Sequence, residues 1–598
     1  MKKSKIFKKF ISVLLCITML LPMGLIGTQA ADTQTVMTET ESADSLIGSV
    51  KSVTTIARAF SGLKEPLENA GDVFKYNDFG TALKRIFFDY LCLIAQAAFK
   101  AVCSIIPTPP SMEGYEDYKS ENFYKGHKTQ LDAPAEGAKW SLGYANGSLI
   151  PADFEAGKYF MGGSLQAKNL TATEIVDDMK IRVTCIDDGS GRGAVIMAVI
   201  DGIGISSTDV RRIRAAVADF AAENNIVSIN VSATHCHSCI DIQGFGSPFI
   251  STLLHNWIKN ANAPSVDALS GRNEAFMNNL YKVAARCIKS AYNDMETGDL
   301  YYSTADATGY MRDKEAPISL ITDITSLRFQ PDNAASEGTY LISMADHPTQ
   351  LPHTTNTKVS SDYIYYMEET FNKAGYNMIF FQGAGGAVSS KRIEGTMFGV
   401  AEIMEELNIQ NDRVAKMVGM GRTFANLVLN IDKKTEEKLA PVLNARHNEF
   451  EITEIDNWLL ILALKIELLN NRLFKTGEGD EDMVFITEVG YIEFGNRFAF
   501  GLMPAELYPE IEIGGAAGIE DSRNNTPWDL TPMRELVDEN IELRSICFAN
   551  DTVGYVLPSN DWVFFSDETP EDTLLSAGGD IDKTLLDAFN DVVNNWTY

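Results

Sequence analysis

The pattern of apolar and polar positions changes character along the chain. From Leu83 to Ile106, LKRIFFDYLCLIAQAAFKAVCSII has helical periodicity interrupted by Lys84, Arg85, Asp89 and Lys100. Those charges argue against a bilayer span and for a helix packed on the main body, with peripheral contact to a membrane surface through residues 83–106 as the alternative. The prolines of PTPPS, 107–111, end it and mark a linker. Beyond them, short continuous apolar runs alternate with amphipathic ones. GAVIMAVID (193–201) and IVSINVS (226–232) read as buried strands, and TDVRRIRAAVADFAAENN (208–225) reads as the helix between them. This β-α-β unit predicts an α/β domain. Four further strands are expected in YLISMAD, YNMIFFQ, FAFGLM and ELRSICF, running into loops at His347, Gly383, Pro504 and Ala549. In α/β folds, sites gather beyond the carboxyl ends of strands. NWLLILALKIELLNNRLF, 457–474, reads as a core helix, too short and too charged to span a membrane.

A different pattern opens the chain: MKKSKIFKKF, then the apolar run ISVLLCITMLLPMGLIG, then TQAAD. This layout predicts a bacterial-type secretory signal cleaved near Ala30 or Ala31, hence a secreted, extracellular protein. Residues 32 to about 60 are polar and threonine-rich, as a mobile leader would be. Removing the signal deepens the formal charge from −30, because five lysines and no acids leave with it. So acidic a chain repels polyphosphates, which argues against nucleic acid as a partner. Seven of the eight cysteines follow the signal at scattered spacings, an odd number that argues against a disulfide scaffold while leaving room for one or two bridges.

The chemistry concentrates in a few places. There are only seven histidines, and VSATHCHSCID (231–241) holds two of them with two cysteines: His235, Cys236, His237 and Cys239. In an extended segment His235 and His237 project to one side and Cys236 to the other, so one strand does not easily wrap all four groups around one ion. Two imidazoles on one side can divide the work, one coordinating a metal and the other orienting or protonating substrate; a polar strand end is the plainer reading. His347, in SMADHPTQLPH, is a further imidazole at a strand end, and His353 competes with it. FQGAGGAVSS (381–390) ends a strand in glycines beside Ser389, without the GxSxG or GxGxxG spacing. Glu506 follows Pro504 in GLMPAELYPE, and Tyr555 follows Gly554 in ANDTVGYVLPSNDW, where an edge strand with an aromatic plug is the plainer reading.

The ordered set SATHCHS, ADHP, GAGGAVSS, PAE and NDTVGY resembles the neutral, non-lysosomal ceramidase family, over roughly residues 138–570. The resemblance implies a mixed-sheet α/β zinc hydrolase domain at 126–598, preceded by the signal (1–31) and by a leader, helix and linker (32–125). It places zinc on His235, His347, Glu506 and Tyr555, with His237 facing the substrate and Ser389 as the catalytic serine. Arg312, in YMRDKEAP, falls where an arginine helps hold the reaction centre. The implied reaction is hydrolysis of the N-acyl amide of ceramide or a related N-acyl lipid. A zinc hydrolase of another amide or ester, and a non-catalytic envelope protein binding lipid or glycan, are the alternatives; retention of all four ligand positions weighs against the last.

Overall fold

The computed structural model describes residues 70–164, 170–262, 269–352, 354–390, 397–477, 482–566 and 568–598; the signal segment, the polar leader and His353 lie outside them. The expected N-terminal helix runs Phe79–Ile105 (α1), with the Asp78 carboxylate accepting from the Gly80 and Thr81 N–H groups to cap it. Its second half is buried through Ala95, Ala98, Phe99 and Val102, while Phe79, Leu83 and Phe87 at its start are exposed. The helix therefore packs on the body along one stripe and leaves part of another in solvent.

The apolar runs become strands. Trp140–Ser148 (β1), Lys180–Asp187 (β2), Ala194–Ile200 (β3), Ile226–Ala233 (β4), Glu296–Asp306 (β5), Asp323–Pro331 (β6), Gly338–Met344 (β7) and Tyr376–Gln382 (β8) form one sheet in the order β8-β7-β6-β5-β1-β2-β3-β4, with Glu437–Leu439 added on β5. Its β3–β4 and β7–β8 pairs are parallel and the others antiparallel, so the sheet is mixed. The parallel pair β3–β4 carries the expected crossover. Its helix is split, however, into Ser207–Ala215 (α2) and Ala218–Glu223, with Ser206 capping the first through the Asp209 N–H.

Leu443–Ile452 (β9), Met483–Phe494 (β10), Phe498–Leu502 (β11) and Glu542–Ile546 (β12) form a second mixed sheet in that order, and Leu473–Lys475 adds to β10. Between the sheets, Val195, Val199, Leu327, Leu341 and Phe381 share one buried cluster with Ile492, Phe498 and Phe500. Such continuous burial explains why these strands read as uninterrupted apolar runs rather than as alternating ones. Helices cover the outer faces. Glu274–Asn293 (α3) buries Phe276, Leu280, Ala284, Cys287 and Ala291, a 3.6-residue stripe, in the cluster of Ile181, Val183 and Ile196. Tyr363–Lys373 (α4) and Asp412–Leu429 (α5) pack with Ile342, Met378 and Phe380, and α1, Trp458–Lys465 (α6) and Ile581–Asn594 (α7) share the largest cluster.

The helix expected over 457–474 is shorter than its apolar run. Asn457 caps its start through the Leu459 and Leu460 N–H groups, and it stops at Lys465, with Glu467 at a φ of 59° turning the chain toward the strand Leu473–Lys475. Apolar content alone cannot mark that stop, because the turn residues Ile466, Leu468 and Leu469 are themselves core.

The two ends of the long sheet approach one another. The Tyr144 hydroxyl on β1 donates to the Met378 carbonyl on β8 at 3.3 Å, and β8 packs near β3 and β4. The outer edge of β4 is occupied by Asn550, whose side-chain oxygen accepts from the Val231 N–H at 2.9 Å while its own N–H donates to the Val231 carbonyl at 2.7 Å. Segments leaving opposite edges of the sheet are thereby brought to one place.

Candidate active site

His235 leaves the end of β4, and its backbone is not extended: φ is +60°, a left-handed conformation costly for a side chain of this size. The same side of the site holds Phe548 at φ 54°, whose ring stacks on the His235 imidazole with centroids 4.2 Å apart and planes 8° from parallel. Such strain persists where the surroundings fix it, and two stacked rings of the site carry it. The bend still delivers the result expected from alternation. His235 and His237 face the same point, whereas the Cys236 and Cys239 thiols turn to the Ser360 carbonyl at 3.1 and 3.6 Å. Burial pushes both thiols above their ordinary range, so they stay protonated and stand apart from the imidazoles. All seven described cysteines are buried, and no disulfide forms among them.

Three imidazoles are oriented in the same way. The Nδ1–H of His235 donates to the Ile203 carbonyl at 2.8 Å, that of His237 to the Gly163 carbonyl at 2.6 Å and that of His347 to the Val388 carbonyl at 2.8 Å. A carbonyl can only accept, so each Nδ1 carries its proton and each neutral Nε2 presents a lone pair. These Nε2 atoms converge: His235 lies 3.1 Å from His347 and 3.0 Å from His237. Glu506 brings Oε1 to 2.9 Å from His347 Nε2 and Oε2 to 3.3 Å from His235 Nε2. Glu506 Oε1 has no hydrogen-bond donor, and three lone pairs with a carboxylate facing one point call for a cation.

The ligand atoms of His235, His237 and His347 all lie within 4.8 Å of one another, a group able to hold a metal ion. Each imidazole is fixed through its far nitrogen in the manner of metal-ligating histidines. Burial holds the His347 imidazole down to about 4, so it stays neutral.

The other expected residues are placed by short strands. Glu506–Leu507 pairs in parallel with Tyr555–Val556, making Glu506 and Tyr555 register partners. The half-buried Tyr555 lines a cavity of about 70 Å³ with His235, His237 and Glu506, room for a few water-sized groups. Phe245, Leu460, Leu469 and Val553 give its walls an apolar character. Burial, reinforced by the Glu506 charge, pushes the Tyr555 phenol well above its ordinary range. Ser389 lies in the strand Val388–Ser390, paired with Met311–Asp313 so that Ser389 faces Arg312, whose Nε donates to Ser389 Oγ at 3.3 Å. The same short strand supplies the Val388 carbonyl that orients His347.

Sequence reasoning placed Ser389 in a loop and did not find Phe548 or the three carbonyl anchors. Backbone acceptors have no residue-type signature, and the strand of Ser389 is too short for a periodicity to show. Two other histidines have structural roles: His447 Nε2 meets Ser228 Oγ at 2.7 Å, and His127 Nε2 donates to the Gly193 carbonyl at 2.9 Å.

Gly554 precedes Tyr555 at a φ of +97°, and a Cβ there would lie 1.7 Å from the Leu575 carbonyl oxygen. Gly554→Ala is expected to cost more than about 1 kcal/mol in chemical denaturation and to lower turnover by displacing Tyr555. Full activity at unchanged stability would show that this backbone is not held as described.

No family model and no curated protein sequence matches the chain. Among solved structures, the neutral ceramidase from Pseudomonas aeruginosa aligns over 76% of this chain and 74% of its own, with a TM-score of 0.55 and 15% sequence identity. A structure described as ceramidase complexed with C2 aligns over 76% of this chain and 75% of its own, with a TM-score of 0.54 and 13% identity. The chain thus has a ceramidase-like fold.

Proposed function

We propose that this protein is a secreted, zinc-dependent amidohydrolase that cleaves the N-acyl amide of ceramide or a related N-acyl lipid into fatty acid and amine. The observation that carries the reading is the convergence of three carbonyl-anchored imidazoles with the Glu506 carboxylate beneath an apolar cavity. The ceramidase-like fold and the five motifs in their order support it, and the N-terminal lysine, apolar and small-residue pattern supports secretion.

In this reading His235, His347, Glu506 and Tyr555 hold zinc. Bound there, zinc would supply Lewis acidity, polarising an amide carbonyl and acidifying water. His237 completes the imidazole group; through its Gly163 anchor it presents the Nε2 lone pair toward the reacting group, where it takes up the proton that the attacking water loses and passes it to the leaving amine. Ser389, oriented by Arg312, donates a hydrogen bond to the oxygen on which charge develops. The apolar walls receive the chain next to the amide, and the exposed Phe79, Leu83 and Phe87 of α1 offer a surface for contact with a lipid layer.

The test is metal analysis of the purified protein followed by hydrolysis of a panel of N-acyl substrates. Ser389→Ala is expected to retain the metal and lower kcat by about 10²–10³-fold with little change in KM. Turnover equal to wild type would remove Ser389 from the reaction. Lipid binding without turnover across the whole panel, at substoichiometric zinc, would favour a non-catalytic binding protein.

A further inference from the structure

Tyr508 lines a second cavity of about 600 Å³, within the range of small-molecule sites. Five of its fourteen lining residues are acidic, Glu315, Glu510, Asp521, Asp561 and Glu568, and none is Lys, Arg or His. Glu568 pairs with Arg85 of α1 at 3.1 Å, and Asp561 accepts from the Arg523 N–H at 2.7 Å. Glu510 is different. It is 4% exposed, it lines the cavity, and its Oε2 has no hydrogen-bond partner. A buried carboxylate oxygen without a partner is costly, and a cation in the cavity would satisfy it.

The kind of cation follows from spacing and surroundings. Among the described residues, the histidine group is the one set of three or more His, Cys, Asp or Glu whose ligand atoms lie within 4.8 Å of one another. The cavity's carboxylates are therefore too dispersed to enclose one bare metal ion, which takes several oxygens at about 2.0–2.6 Å. Tyr508 adds an aromatic wall and Leu557, Pro317 and Pro558 apolar ones. Next in sequence to the lining residues Pro317 and Gly518, Ile318 is 80% exposed and Ile519 39% exposed, large apolar side chains left in solvent. An ammonium group carried on an apolar chain matches the whole arrangement: charge against Glu510, a cation-π face on Tyr508, and the chain across Ile318 and Ile519.

We infer that this cavity binds the ammonium head of an amphiphilic amine. Burial, with Asp313 and Asp561 adding to it, pushes the Glu510 carboxyl up to about 8, so at pH 7 the group ionises only as a positive partner arrives. Tyr508 connects this cavity with the neighbourhood of the reaction centre: its hydroxyl donates to Asp572, next in sequence to Glu571 in the wall of the imidazole cavity, and its ring packs against Gly386. Two sources share the ammonium chemistry, the free amine that amide hydrolysis releases and the headgroup of an aminolipid in a bilayer. The binding itself does not depend on the amidase reading.

The test uses the full chain in calorimetry with octylammonium chloride, with octanol as the uncharged comparator and calcium chloride as the metal probe. Wild type is expected to bind one octylammonium per chain and to ignore octanol. Glu510→Gln, which keeps the shape, is expected to weaken binding at least tenfold, as is Ala516→Phe, which fills the cavity without touching a charge. Hydrolysis of a neutral N-acyl substrate at low concentration is expected to be unchanged in Glu510→Gln, so loss of the amidase reading and loss of this site are separable. Flotation with phosphatidylethanolamine vesicles that depends on Glu510 assigns the site to a lipid headgroup, whereas binding of the free amine alone assigns it to the product. Equal octylammonium affinity in both variants, comparable binding of octanol, or one-to-one calcium binding abolished by Glu510→Gln would overturn the inference.

Discussion

His235→Ala is expected to abolish stoichiometric metal binding and to lower N-acyl hydrolysis by about 10³-fold, equivalent to about 4 kcal/mol of transition-state stabilisation. The expectation rests on position. His235 Nε2 is within 3.1 Å of both partner imidazoles and 3.3 Å from Glu506, so its removal opens the centre of the group rather than its rim. The deleted ring also leaves Phe548 without the face on which it stacks. His447→Ala is the matched control, since that imidazole is buried against Ser228 and away from the group; it is expected to lower stability while leaving one metal per chain. Elemental analysis, circular dichroism and turnover on the same samples decide the matter. A His235→Ala protein that keeps metal and rate would sink the metal reading.

The second large effect concerns stability. Glu488 on β10 is buried and accepts from Arg214 of α2 at 3.0 Å and from Arg211 at 2.8 Å. Burial raises its carboxyl, but the two guanidinium groups outweigh it and hold it down to about 2. A carboxyl depressed in the folded state contributes stability that is present above its unfolded pKa of about 4.3 and is lost as pH falls through about 2. Glu488→Gln leaves Arg214 as a buried charge without its counterion, so it is expected to cost about 3–5 kcal/mol at pH 7. The difference from wild type should shrink steadily as denaturation is repeated at lower pH toward 2. A cost independent of pH would mean that shape, and not charge, is what Glu488 supplies.

Much of the fold was legible because burial on both faces leaves a strong mark: GAVIMAVID, YLISMAD and YNMIFFQ are strands close to where their apolar runs begin and end. Helix stops were less legible. The run beginning NWLLILALK continues in apolar residues through a turn and into a strand, and only the positive φ at Glu467 marks the change. For the site, the residue types of the converging group were readable from motif order, while the reason given for one of them was incomplete. His235 and His237 share a side, yet they do so through a left-handed residue after the strand and not through pleat alternation within it. The acidic cavity was not legible at all. Its carboxylates come from segments as distant as Glu315 and Glu568, and each alone looks like an ordinary solvated acid.

The joining of opposite sheet edges at one point has a consequence for the order of assembly. His235 and His347 are 112 residues apart in sequence, and Glu506 comes from beyond β11 of the other sheet. Contacts of such long range carry a large loop-closure cost and form late, after local helices and hairpins. Of the converging group, the N-terminal half of the chain supplies His235 and His237, while the other two donors, His347 and Glu506, come from the second half. In the metal reading, acquisition of the ion would be a terminal step of folding, taken only by a chain whose two sheets have already closed upon each other, and the bound ion would act as a latch on the finished product rather than as a seed for it.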